Sequence, residues 1–553
     1  MARFKKNQYI PPQGPLLYES HGRPVTRRQF IRQGLMTGSA TVLSAGAFGM
    51  FANPNAARAA VAPDLNALAT DIDCILGGVG AGQSVPFISF DLAGGANFAG
   101  SNVLVGQGGG QMDLLSTAGY SKLGLPGDML PGQDSTGVTL LNASTDNDFT
   151  NKDLNLIFHA DSPMLLGILE KASLAVGRVD GAVIPARSDN DTGNNPHNPL
   201  YPLAMTGARG SVVDLIGSRS SESGGNSMAP AMYVDPEFRP TKVDRPSDVT
   251  GLVDVGDLTT ILGPDDVTAV MESITRITHK KLRLGSIDTG LTNDDVVKDL
   301  VRCGYLKASD IADRFAGVEV DPTLDTNIAG PIFSAAELAN DGEFRKTASV
   351  MKMVMNGYAA GGCITMGGYD YHTGDRIVGE NRDLRAGRCI GACLEYARLL
   401  DTPLMIYVFS DGSVASNGRL DNSAAPNGGT DGNGNVTVGG GGKGEWTGDN
   451  SSTACSFFLV FDPTGAPARS NNGLPDELHR QIGRMNAGAS VVTSATPMAN
   501  NVNLLVNMVM LNYMALNGQI SPGNTAAFSN IFPNHGLGNQ TNLDSFIAFN
   551  SIA

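Results

Sequence analysis

Five short apolar runs constrain this chain more than any other feature: Val85–Phe90, Gly181–Pro185, Cys363–Met366, Leu404–Phe409 and Ser456–Phe461. Each has strand length and is nearly continuous in apolar residues, which is the pattern of a strand buried on both faces. Between them lie segments with helical spacing, among them Ser349–Tyr358 and Leu384–Leu400. Buried strands alternating with helices predict an α/β fold with a mostly parallel central sheet covered on both sides. From about 244 to 343 the pattern becomes largely helical (Asp265–His279, Asp294–Cys303, Ser334–Asn340), and this region is expected to be an insertion in a single domain spanning 60–553. The Gly-, Asn- and Asp-rich stretch 417–450 is expected to be a long loop inside that domain. The Met-rich apolar segment Asn501–Leu516 is expected to be a core helix.

The N-terminus carries an export signal. Arg27-Arg28-Gln29-Phe30-Ile31 is a paired-arginine motif followed by a weakly apolar stretch, Gly34 to Ala52, and a small-residue site at Ala57-Arg58-Ala59. That order predicts a twin-arginine signal peptide over 1–59 and a mature protein released to the periplasm or outside the cell. Residues 1–59 hold eight Lys/Arg and one Glu, a net of +7; removing them from the whole-chain −15 leaves −22. Such a surface repels nucleic acid and anionic lipid, so neither is an expected partner, and it suits cations. No mature segment reaches the length of a membrane span. The six cysteines show no CxxC pair; Cys389 and Cys393, four apart on an expected helix, read as buried small side chains, and pairing among the six stays open.

Chemistry-bearing residues fall after the strands. Val85–Phe90 runs into Asp91, Gly181–Pro185 into the loop from Arg187 and Ser188 through Thr192 to His197, Cys363–Met366 into Asp370-Tyr371-His372, and Leu404–Phe409 into Ser410-Asp411. Ligands in open parallel sheets sit beyond the carboxyl ends of the strands, so these residues are expected to form one oxygen-rich pocket. Clustered carboxylates repel one another, and either a cation or strong hydrogen bonding must offset that. Other motifs fail. Gly439–Gly444 (GGGGKG) lacks the Ser/Thr of a phosphate loop, and Asp431-Gly432-Asn433-Gly434-Asn435 lacks the closing Glu of a calcium loop.

The segments Phe87–Asn102 (FISFDLAGGANFAGSN), Arg187–Tyr201 (RSDNDTGNNPHNPLY), Gly367–His372 (GGYDYH), Val408–Gly412 (VFSDG) and Gly428–Asp431 (GGTD) together resemble a family of twin-arginine-exported proteins of unknown function within the alkaline phosphatase/sulfatase superfamily. The resemblance implies a three-layer α/β/α sandwich with metal ligands at the strand ends. It makes Asp91 the first-strand metal carboxylate, Asp370 and His372 the central pair, Asp411 the later acidic ligand and His197 a further metal residue, and it puts Ser188 or Thr192 in the place of the nucleophile. The chain departs from the zinc enzymes of that superfamily: Gly412 follows Asp411 where His is expected, and Gly432 stands where the GTDH-like segment has His. Oxygen ligands suit Ca²⁺ or Mg²⁺ better than Zn²⁺. The expectation is therefore an exported protein with a degenerate metal site and a binding or structural role, taking a small anionic ligand. The alternative is a metal-dependent hydrolase or transferase of phosphate or related esters.

Overall fold

A computed structural model describes residues 61–552 except 75, 77–83, 189–194, 255–260, 284–293, 316–317, 375 and 422–426. The signal region 1–59 and Thr192 lie outside the described residues. Those that are described form two compact units: one takes residues from Val61 to Leu76 with those of Thr250–Glu319, the other takes those of 78–249 and 320–552. The expected helical region 244–343 is thus divided, with 250–319 in the first unit.

The first unit is built on the helices Pro63–Asp71, Pro264–Arg283 and Asp294–Phe315. Leu65, Leu68 and Ala69 on one stripe of the first helix pack with Leu306, while Val267 packs with Ala312. So small a core buries little apolar surface, and a disulfide from Cys74 to Cys303 ties its ends together. Arg276 also grips the Asp64 carboxylate through Nε at 2.7 Å and Nη2 at 2.9 Å.

The second unit is organised by a seven-stranded sheet. Its strands are β1 (Phe87–Ala93), β2 (Val179–Pro185), β3 (Val213–Gly217), β4 (Thr241–Lys242), β5 (Ala359–Gly367), β6 (Leu404–Phe409) and β7 (Cys455–Phe461). They lie in the order β2-β7-β6-β1-β5-β3-β4, all parallel except β7, which runs antiparallel to both neighbours. The five apolar runs seen in the sequence are β1, β2, β5, β6 and β7, and together they make the buried centre. The short, half-polar β3 and the two-residue β4 gave no such run.

The first strand sits between β5 and β6, with Asp91 level with Thr365 on one side and Phe409 on the other. Helices lie against both faces. A side chain at Gly361 would meet Leu203 of the helix Leu200–Met205, and one at the next residue, Gly362, would meet Val350 of α2 (Gly342–Met355). Successive strand residues face opposite sides, so these two helices cover opposite faces. The helices α1 (Pro163–Ala172) and α3 (Arg376–Leu400) pack backbone to backbone where Gly167, Gly387 and Gly391 remove the side chains between them. The Met-rich α4 (Val502–Leu516) is a core helix, buried from Leu505 to Leu516, and Tyr513 bonds the Val85 carbonyl at 3.0 Å.

The stretch 417–450 differs from the expected loop. Val414–Leu420 pairs with Gly444–Asp449, and Asn427–Thr430 pairs with Val436–Val438, giving two antiparallel ribbons. Ladder hydrogen bonds need only backbone, so strands rich in Gly and Asn form without the apolar periodicity that reveals other strands. Asp431 closes the tip of the second ribbon by accepting from Asn433 N at 2.8 Å and Asn435 N at 2.9 Å. That is an ordinary polar turn.

Candidate functional site

The carboxyl ends of β1 and β6 bring two carboxylates together. Asp91 is on β1 and Asp411 two residues beyond β6; both are fully buried. Their charge is met by the loop after β3. Asp91 Oδ2 accepts from the backbone N–H groups of Asn226 and Ser227, each at 2.7 Å, and Oδ1 accepts from Ser227 Oγ at 3.1 Å. Asp411 Oδ1 accepts from Gly94 N at 2.7 Å, and Oδ2 faces Asn226 Nδ2 at 3.4 Å. Burial pushes the Asp91 carboxyl up to about 6 against the pull of the Ser227 N–H, and the nearby Asp411 charge adds to the rise.

The backbone that holds this pair is itself pinned. Ser410 Oγ donates to Leu92 O at 2.6 Å and accepts from Ala96 N at 2.8 Å, tying β6 to the turn after β1. In that turn Gly94 has φ +129, and a Cβ there would lie 2.3 Å from Asp370 N. Only glycine gives both that conformation and that approach.

The loop after β2 contributes Ser188 and His197, both buried. Ser188 Oγ is 2.7 Å from His197 Nε2, and the imidazole stacks on Phe409 at 5.6 Å. Burial lowers His197 to about 3, so the ring is neutral at physiological pH, and its Nδ1 has no partner among the described residues. Asn195 Nδ2 reaches the Asp411 carbonyl at 2.7 Å, which fixes this loop to the end of β6.

Asp370 and His372 lie in a different group. The chain leaving β5 is extended: Tyr369 and Tyr371 turn inward and are buried, so Asp370 and His372 between them turn outward. Tyr371 OH accepts from Asn97 N at 3.0 Å, and Tyr369 OH donates to Arg382 O at 2.9 Å. On the surface, His372 Nδ1 contacts a carboxylate oxygen of Asp370 and lies 3.1 Å from Asp449 Oδ1. One ligand atom from each of these three residues lies within 4.8 Å of the others. Their side chains are 65%, 35% and 43% exposed for Asp370, His372 and Asp449 respectively.

Side-chain contacts join Ser188 to His197 and Asp370 to His372, while Asp91 and Asp411 share Asn226 as a donor. Among the described residues no side-chain hydrogen bond or ion pair joins the Asp370–His372 set to the Asp91–Asp411 pair. Sequence reasoning missed Asn226, Ser227 and Asp449. Asn226 and Ser227 act largely through backbone, which no motif records, and Asp449 sits in a low-complexity stretch.

The donor chemistry discriminates between the sets as metal ligands. Asp91 Oδ2 already accepts two backbone N–H groups, and the other three oxygens of Asp91 and Asp411 each face one donor. The Asp370, His372 and Asp449 set, with an imidazole between two carboxylates, brings together three ligand atoms that could hold an ion. No family model, curated protein or solved structure matches this chain. No helix among the described residues is long and apolar enough to cross a membrane.

Proposed function

We propose that the chain is an exported alkaline phosphatase-like α/β/α sandwich whose strand-end metal centre is degenerate. Its role is binding outside the cytoplasm, through one hard-cation site at Asp370, His372 and Asp449 that recruits a small anionic ligand. The observation that carries this reading is the hydrogen-bonded state of Asp91 and Asp411. Their oxygens accept from Gly94, Asn226 and Ser227, with both lone pairs of Asp91 Oδ2 engaged, so protein donors already offset the paired charge that an ion would otherwise offset. Ca²⁺ or Mg²⁺ bound by the surface set would supply a positive charge to an anion and nothing more. The Cys74–Cys303 disulfide supports an oxidising compartment, as the paired arginines do.

Thermal melts of the chelator-treated mature protein with added Ca²⁺, Mg²⁺, Mn²⁺ or Zn²⁺ test this, since an ion that binds the folded state raises its melting temperature. Ca²⁺ or Mg²⁺ is expected to raise it, Asp449→Asn to abolish the rise, and Asp91→Asn to keep it. A response lost in the Asp91 variant and kept in the Asp449 variant would restore the strand-end centre and overturn the proposal.

One contact favours the hydrolase reading. Ser188 Oγ against a neutral imidazole at 2.7 Å is the start of a nucleophile–base pair. In that reading Ser188 or Thr192 attacks an ester. Activated phosphate mono- and diesters, assayed with Ser188→Ala, Thr192→Ala and His197→Ala, separate the two. Absence of turnover by the wild type leaves the binding role alone.

A further inference from the structure

A second cluster of charge is buried where α3 meets the Gly-rich ribbon. Lys443 follows four glycines and its side chain is only 2% exposed. Its Nζ lies 3.0 Å from Oδ2 of Asp161, which is 0% exposed, and contacts Oε2 of Glu380, which is 1% exposed. Among the described residues the Asp161 Oδ2 atom has no hydrogen-bonding partner; the amine lies beside it and donates to the Asp161 main-chain carbonyl at 3.0 Å. The other oxygen, Oδ1, accepts from the backbone N–H of Leu141 at 3.0 Å. Glu380 is fixed by Arg376, whose Nε donates to Oε1 at 2.8 Å, leaving Oε2 for the lysine. Arg376 is in turn held under the Trp446 ring at 4.2 Å and by the Gly444 carbonyl at 3.0 Å.

A lysine, an aspartate and a carboxylate proton carrier, buried together away from bulk solvent, are the complete set of groups for making an amide. Confinement supplies the effective concentration that a free amine and carboxylate lack in water. Exclusion of water removes the reverse hydrolysis.

We propose that Lys443 and Asp161 become joined by an intramolecular amide bond that the folded protein forms itself, with Glu380 carrying the protons. Glu380 takes one proton from the Lys443 ammonium and delivers it to Oδ2 of Asp161. The free amine attacks Cγ; the C–N bond forms and the carbonyl electron pair moves onto Oδ1, where the Leu141 N–H stabilises it. Collapse of that centre breaks the Cγ–Oδ2 bond, and Glu380 carries the second amine proton to the departing oxygen. One water leaves, the ammonium and carboxylate charges vanish together, and no oxidant or cofactor is consumed. The bond ties the segment before α1 to a ribbon 282 residues further on, whose glycines offer few side chains to pack.

Mass spectrometry of the purified mature protein, reduced and denatured, decides it. With its N-terminus determined, the wild type is expected to be one water lighter than its sequence mass, and digestion is expected to yield a branched peptide containing both Asp161 and Lys443. Lys443→Arg and Glu380→Gln should each restore the full mass. Asp161→Asn should still form the branch, with loss of ammonia in place of water. A wild type at full mass whose Asp161 and Lys443 peptides separate on digestion would show a plain buried ion pair and overturn the proposal, whether or not any variant folds.

Discussion

Gly94 donates its backbone N–H to Oδ1 of Asp411 at 2.7 Å, so the turn that ends the first strand carries the donor that steadies the acid beyond the sixth. Neither residue could do this in isolation. The glycine conformation aims the N–H, and the parallel register of β1 beside β6 brings the carboxylate to it. The pair is thus a structural clamp between the ends of two neighbouring strands.

Removing the clamp should cost stability before it costs any binding. Asp91→Ala leaves the buried N–H groups of Asn226 and Ser227 without an acceptor, a penalty of about 2–4 kcal/mol at roughly 1–3 kcal/mol per orphaned group shared between neighbours. Urea unfolding of the variant should show that loss, while the cation-induced rise in melting temperature persists. Gly94→Ala should fold less stably still, since its Cβ would strike Asp370 N.

Stability should peak near neutral pH. Burial raises Asp91 to about 6 and Asp383 to about 8, so these groups keep protons in the folded state, favour folding in acid and lose that contribution as pH rises through those values. Burial lowers His159 to about 4 and His197 to about 3; their contribution is present above the ordinary imidazole value and is lost as pH falls through the folded values. Between about 4 and 6 the two pairs oppose each other, whereas from about 6.5 to 8 Asp383 acts alone. Melting temperatures should therefore decline over that upper window, by roughly 1–2 kcal/mol of stability. Asp383→Asn, which keeps an acceptor for Asn102 Nδ2, should flatten the decline. An unchanged pH profile in that variant would refute the assignment.

Reducing the Cys74–Cys303 bond should loosen the first unit. The bridge closes a separation of 229 residues around a small core, and its loss is expected to cost about 2–5 kcal/mol. Hydrogen exchange of a Cys74→Ser, Cys303→Ser variant should show faster exchange in Pro63–Asp71 and Asp294–Phe315. The four remaining cysteines are buried and free, so mild thiol reagents should label none of them in the native protein.

Export should depend on the arginine pair. Replacing Arg27 and Arg28 with Lys should hold the precursor in the cytoplasm, because the folded-protein route reads that pair. Fractionation and immunoblotting check it, and normal periplasmic accumulation of the double variant would remove the export assignment.

The five apolar runs, the helices between them and the core helix near the C-terminus were legible because burial on both faces leaves a compositional mark that needs no partner to be seen. The Asp-x-His element was legible as a motif but not as a place. Its position on the surface follows from Tyr369 and Tyr371 turning inward, and the sequence does not say which alternate residue faces the core. The two Gly-rich ribbons were illegible for the opposite reason, being held by backbone pairing that leaves almost no trace in side-chain pattern.

The sequence by itself determined the class of fold and the set of acids, hydroxyls and histidines available for chemistry, because each is a property of local composition and spacing. Tertiary structure alone decided which of them meet. Asp91 and Asp411, 320 residues apart in the chain, share donors from one loop. Asp449 completes the His372 cluster from a ribbon without a motif, and Lys443 faces Asp161 across 282 residues. Contacts at such separations depend on strand order, register and the direction each side chain leaves the backbone, and those are fixed only when the sheet is assembled.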